Sequence, residues 1–181
     1  MKRKEIVRLV TLAMFVAISV ILIWFVHFPI FPVIPFMEYD PADIPIFIGS
    51  FMFGPWWGLA LTAVASIIQG VTVCVKDGIV GIIMHVVATG SFVISAGFIY
   101  KRNKTRKTAR IALIAGTLAM VCTMVLWDLL VLPYYMGIPV SAVVQLLPFI
   151  ILFNLIKAGG NACITYFLYK PLRRLIERIE K

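Results

Sequence analysis

KRNKTRKTAR, residues 101–110, sets Lys101, Arg102, Lys104, Arg106, Lys107 and Arg110 between two long apolar runs, with no acid among them. Hydrophobic residues make up 62% of the 181-residue chain and charged residues 14%, and the mean hydropathy is +1.02. A basic block in such a setting reads as a cytoplasmic loop between membrane helices. The net charge of +9 would also suit a nucleic-acid surface. The flanking runs, however, are long enough to cross a bilayer and too apolar for a soluble face.

Working outward from this loop, the chain divides into six helices and no second domain, so that residues 1–181 form a single membrane domain. The apolar pattern and its breakers predict helix 1 over about residues 5–27. A short helix 2 follows over about 43–53, with Gly54-Pro55 as its stop. Helix 3 covers about 56–75, helix 4 about 78–100 and helix 5 about 108–132. Helix 6 lies within about 141–176, with Pro148 at its start or at a kink. The tail 170–181 alternates charge and apolar residues at helical spacing, which suits the cytoplasmic surface. The first run has a basic flank like a signal peptide but no small-x-small cleavage pattern, so it reads as a retained helix.

Charge counting orients this layout. Of 17 basic residues, four lie at the start of helix 1, six in 101–110 and five in 170–181, leaving Lys76 and Lys157. With six spans all three clusters fall on one side, and the positive-inside rule puts both termini in the cytoplasm. Five spans would separate the terminal clusters.

Between helices 1 and 2, residues 28–42 form an extracellular proline-rich segment. Pro29, Pro32, Pro35 and Pro41 rule out a spanning helix there, and Glu38 and Asp40 follow an apolar half. A segment bearing Phe36, Met37 and Tyr39 reads as a lid folded over the helices, with Asp40 or Asp43 capping the next helix.

Polar residues within the spans mark the candidate site. Lys157 lies midway along helix 6, with Asn154 on the same face and Asn161 a turn later. A charge at the bilayer centre costs about 2.5–3.5 kcal/mol on the mildest scales. Lys157 therefore needs an acid or a ligand, and Asp128 in helix 5 is the acid considered for a buried pair. His85 reads as a helix-to-helix hydrogen-bonding group. The cysteines Cys74, Cys122 and Cys163 lack metal or redox spacing and read as small apolar packing groups. No paired acid and base, metal constellation or nucleotide-binding motif stands out, so no catalytic or metal residue and no cofactor is assigned. The pattern describes an outward pocket for a flat, partly apolar ligand with a polar edge.

Ala13-x-x-x-Ala17, EYDPADIP (Glu38 to Pro45), FGP (Phe53 to Pro55), LPYY (Leu132 to Tyr135) and NLIK (Asn154 to Lys157) occur in this order along the six-helix layout. In these features the chain resembles the substrate-binding S components of energy-coupling factor vitamin transporters, riboflavin type. The resemblance implies a bacterial cytoplasmic-membrane subunit that binds riboflavin with high affinity from outside. It implies as partners a transmembrane coupling protein and two cytoplasmic ATPases, with no ATPase site in the subunit. It also implies that Ala13 and Ala17 face the coupling protein, that Asn154 and Lys157 contact the flavin, and that Glu38 lies near it in the lid. Phe36, Met37, Tyr39 and Trp127 are then candidates to pack on the ring faces. The resemblance departs in helix 5, where the family has an asparagine six residues before the LPYY proline. Trp127 stands there, followed by Asp128. An S component for another heterocyclic vitamin, thiamine or a pyridoxine-like compound, is the alternative. An intramembrane enzyme or an assembly protein ranks below both.

Overall fold

The computed structural model describes residues 3–179, apart from the side chain of Glu177. Lys2 of the first basic cluster, and Glu180 and Lys181 of the tail, lie outside the described residues. Among the described residues the chain forms six α-helices: α1 Arg3–Phe25, α2 Asp43–Phe53, α3 Pro55–Thr72, α4 Gly78–Arg102, α5 Arg106–Met136 and α6 Val140–Ile179. Between α1 and α2, strands β1 Phe28–Pro29 and β2 Glu38–Tyr39 pair antiparallel, Phe28 opposite Tyr39. A 3₁₀ turn, Val75–Asp77, precedes α4.

The fold is an all-α polytopic membrane bundle. The spans Arg3–Phe25, Val75–Arg102, Arg106–Met136 and Val140–Ile176 are each long and apolar enough to cross a bilayer. Their outward faces carry rows of exposed apolar side chains, such as Ile6, Val10, Met14 and Ile21 on α1 and Ile114, Leu118, Leu126 and Leu130 on α5. Rows of this extent suit lipid rather than water. Cys122 and Cys163 belong to these faces: both are exposed, and Cys74 is partly buried. The two exposed thiols thus take lipid rather than the bundle interior as their apolar surroundings.

Helix α2 is the centre of the bundle. Every residue from Asp43 to Phe51 is buried, as expected for a helix apolar on all sides. It packs on α1, α3, α4 and α6. Phe47 stacks on Phe92 with ring centroids 3.5 Å apart. Glycines let the neighbours come close. A Cβ on Gly58 of α3 would sit 2.6 Å from the Ser50 Cβ, and one on Gly97 of α4 would sit 2.7 Å from the Ser50 Oγ. The Ser50 hydroxyl in turn donates to the Val93 carbonyl at 3.1 Å. Gly54, at φ +101°, makes the break that only glycine adopts easily, and Pro55 opens α3.

Two helix ends differ from the sequence expectation. Helix α5 passes through Pro133 to Met136 and stops at Gly137, whose φ of +67° is left-handed. Pro133 removes one backbone donor, that to the Leu129 carbonyl, without ending the helix. Helix α6 runs unbroken through Pro148 and Pro171, so residues 170–179 extend it.

The basic clusters meet at one end. The Arg3 guanidinium donates to the Ile179 carbonyl at 3.1 Å. Arg106 shares a cavity with Lys170 and Arg174, and Lys101 and Lys104 share a smaller one with Met52, Phe53 and Gly54. At the opposite end Lys76 pairs with Glu38 at 3.0 Å. Successive helices thus run alternately between a basic end and the hairpin end.

Candidate functional site

Helix α6 presents Asn154, Lys157 and Asn161 at helical spacing toward the β1–β2 hairpin and the chain leading into α2. Lys157 meets an acid there, and the acid is Asp40 rather than Asp128. The Lys157 Nζ lies 2.6 Å from the Asp40 Oδ2 and donates to the Glu38 carbonyl at 3.3 Å. The paired side chains are 15% and 9% exposed. Asn161 continues the clasp. Its amide nitrogen donates to the Asp40 carbonyl at 3.0 Å, and its oxygen accepts from the Tyr39 hydroxyl at 3.1 Å. Burial, reinforced by the Asp40 charge, pushes the Tyr39 phenol up, so it remains a donor.

Asp40 is shaped locally for this task. Its Oδ1 accepts from the Ala42 backbone N–H at 3.0 Å, an Asx turn that aims Oδ2 at α6. The carbonyl of the same Ala42 accepts from Ser19 at 2.7 Å, and Ser19 accepts from the Gln69 amide at 2.9 Å. The expected side-chain cap of α2 is absent: Ala42 is its N-cap residue. Asp43 turns inward instead. Its Oδ1 accepts from Thr89 at 2.8 Å and from the His85 Nε2 at 3.1 Å, and the His85 Nδ1 lies 2.8 Å from Ser66. His85 is the helix-to-helix link expected of it.

The other candidates spread around this clasp. Met37 is buried, Tyr39 half-buried and Phe36 exposed. The Glu38 carboxylate points to Lys76, so only its carbonyl faces Lys157. Asn154 is buried, and its amide nitrogen donates to the Ile150 carbonyl one turn back. On α5, Trp127 packs half-buried against the core. Asp128 is buried, and its Oδ2 has no partner among the described residues. On α1, Ala13 and Ala17 both point outward, beside exposed Met14 and Ile18. The clasp therefore unites Lys157 and Tyr39 with Asn161, expected only as a further polar group on the α6 face, and Asp40, expected only as a lid acid or helix cap.

Chemically, the α6 face offers an ammonium and two carboxamides, able to donate to carbonyl and hydroxyl oxygens and to accept from N–H groups. In this structure the hairpin and Asp40 engage Lys157 and Asn161, while the Asn154 amide nitrogen donates within α6.

A family model described as "ECF transporter, substrate-specific component" matches residues 7–169. The riboflavin transporter RibU of Staphylococcus aureus is 29% identical over 179 residues, which cover 95% of this chain and 93% of that one. The riboflavin transporter FmnP of Bacillus subtilis is 26% identical over 187 residues, covering 96% of each. A solved structure described as "Structure and mechanism of the S component of a bacterial ECF transporter" superposes with a TM-score of 0.79. It is 28% identical and covers 93% of this chain and 96% of that one.

Proposed function

The chain belongs to the ECF transporter substrate-specific component family, and we propose that it is the riboflavin-binding subunit of such a transporter. It is then a transport subunit of the bacterial cytoplasmic membrane and not an enzyme. A transmembrane coupling protein and two cytoplasmic ATPases supply the energy. The alternating helices support six crossings, and the gathering of described basic residues at one end supports cytoplasmic termini. On this reading residues 28–42 are the extracellular lid, 101–110 is a cytoplasmic loop, and 170–181 is the cytoplasmic tail.

The observation that carries the proposal is the Lys157–Asp40 pair beneath the hairpin. A cation at membrane depth, already directed at the lid, is the group a ligand beneath the lid would meet. Riboflavin has a flat ring system with a carbonyl-rich edge and a hydroxylated side chain. Lys157 suits an oxygen of that edge or chain, and Asn154 can both donate and accept. Met37, Tyr39, Phe36 and Trp127 supply apolar surface for the ring faces. Asp128, with an unsatisfied oxygen, suits the ring N–H. Glu38 stands at the lid rim beside Lys76. For Lys157 to serve the ligand, its bond to Asp40 must open.

Riboflavin fluorescence tests this reading. Burial of the ring against aromatic groups should quench it at one ligand per purified chain, and Asn154→Ala and Lys157→Ala should each weaken binding. Absence of quenching, with saturable binding of thiamine or a pyridoxine-like compound instead, would move the protein to another vitamin. The Trp127-Asp128 pair favours that second reading most directly.

A further inference from the structure

The end of the bundle opposite the hairpin carries a feature that vitamin binding does not use. A cavity of about 180 Å³ opens where α5 begins and α6 nears its end. Three cations line it, Arg106, Lys170 and Arg174, together with Tyr166, Phe167 and Tyr169. Among the described residues no carboxylate pairs with any of the three. Cations gathered around one cavity repel one another, and an anion placed between them relieves that repulsion.

The surrounding structure narrows the class of anion. The floor is rigid: Tyr169 is 3% exposed and sits edge-on to Tyr100 and Phe51, with centroids 5.7 and 5.5 Å away. The outer wall is Phe167, which is 68% exposed and lies on the same helix as the outward-facing Ile164 and Leu168. The cavity therefore has basic groups on one side and a membrane-facing aromatic wall on the other. Helix α5 starts here at Arg106, and the positive end of its dipole adds to the field.

We propose that this cavity binds the phosphodiester headgroup of an anionic phospholipid, the three cations holding the phosphate. Basic pockets between membrane helices are suited to such headgroups. The site is independent of which vitamin the opposite end takes.

The test is native mass spectrometry of the full-length, delipidated protein with added phosphatidylglycerol or phosphatidylcholine. The expected result is a saturable phosphatidylglycerol adduct on the wild type and little phosphatidylcholine. Arg106→Gln with Arg174→Gln should weaken that adduct at least about 10-fold. Lys104→Gln with Lys107→Gln removes the same charge outside this cavity and should leave the adduct nearly intact. A photoactivatable phosphatidylglycerol should label the α6 segment 167–174, which checks the site without relying on a variant. Equal loss in both double variants would reduce the effect to general charge and overturn the proposal. So would equal binding of phosphatidylcholine, or no adduct on the wild type. Displacement by sn-glycerol 3-phosphate as effective as by the lipid would assign the cavity to a soluble phosphate and overturn the lipid assignment.

Discussion

Replacing Asp40 by asparagine separates two roles its carboxylate can have. The wild-type contact is a 2.6 Å charge-assisted bond between side chains that are 15% and 9% exposed. Such bonds contribute about 1.5–3 kcal/mol, against about 0.5–1.5 for neutral ones. Asparagine has a single oxygen, which can serve either the Ala42 N–H or Lys157 but not both, while the Glu38 carbonyl still accepts from Lys157. The net loss is therefore about 1–2 kcal/mol rather than the 3–5 expected when a buried ion is left without any partner. That loss falls on the ligand-free protein, where the pair is closed. If riboflavin takes Lys157 away from Asp40, the bound state never had the bond to lose. Asp40→Asn should then lower the melting temperature of the ligand-free protein and tighten riboflavin binding by about 5- to 30-fold. Thermal unfolding in detergent reads the first effect and fluorescence titration the second. Weaker riboflavin binding with an unchanged ligand-free melting temperature would refute the competition and make Asp40 a ligand contact.

Three further outcomes follow from the packing. Asp43→Ala removes the acceptor of both Thr89 and His85 at a fully buried position, and should destabilise the protein by about 3–5 kcal/mol; an unchanged melting temperature would show that the network contributes nothing. Gly97→Ala places a Cβ 2.9 Å from the Pro55 backbone and should cost about 1–3 kcal/mol by overpacking, read in the same melt. Ala13→Leu with Ala17→Leu alters an outward face, so riboflavin titration should stay at wild type while uptake and co-purification with the coupling protein fall; retained uptake would remove that face from the partner contact.

How far the sequence could be read depended on whether the deciding interaction was local. Helix α2 was legible to the residue because its limits are chemical: prolines before it and Gly54-Pro55 after it. The end of α5 was misplaced because Pro133 looks like a stop, although a proline near a helix end forfeits a single bond and Gly137 supplies the real stop. Lys157 was visible as an anomaly from its neighbours alone. Its partner was not, since Asp40 lies 117 residues away along the chain, and pattern reasoning favoured Asp128 as the acid in the adjoining span. The Asp43–His85–Ser66 link joins three helices and was foreseen only as an unnamed bond to His85.

The length of α2 explains why the lid and the site are built from the same groups. Eleven residues rise about 16 Å, half the thickness of a bilayer core of about 30 Å. On the six-crossing reading α2 is closed off by the lid that precedes it, whose buried backbone groups must be satisfied by protein. The Glu38, Asp40 and Ala42 carbonyls are satisfied by Lys157, Asn161 and Ser19. Lys157 is also a group proposed to receive the vitamin. A ligand entering beneath the hairpin must therefore offer Lys157 oxygens at least as good as those it displaces. A molecule with several carbonyl and hydroxyl oxygens meets that condition, whereas a purely aromatic one of the same size does not. The competition thus selects for polar edges while the ring faces need only fit, and a deoxygenated ring analogue should fail to open the Lys157–Asp40 pair however well it packs.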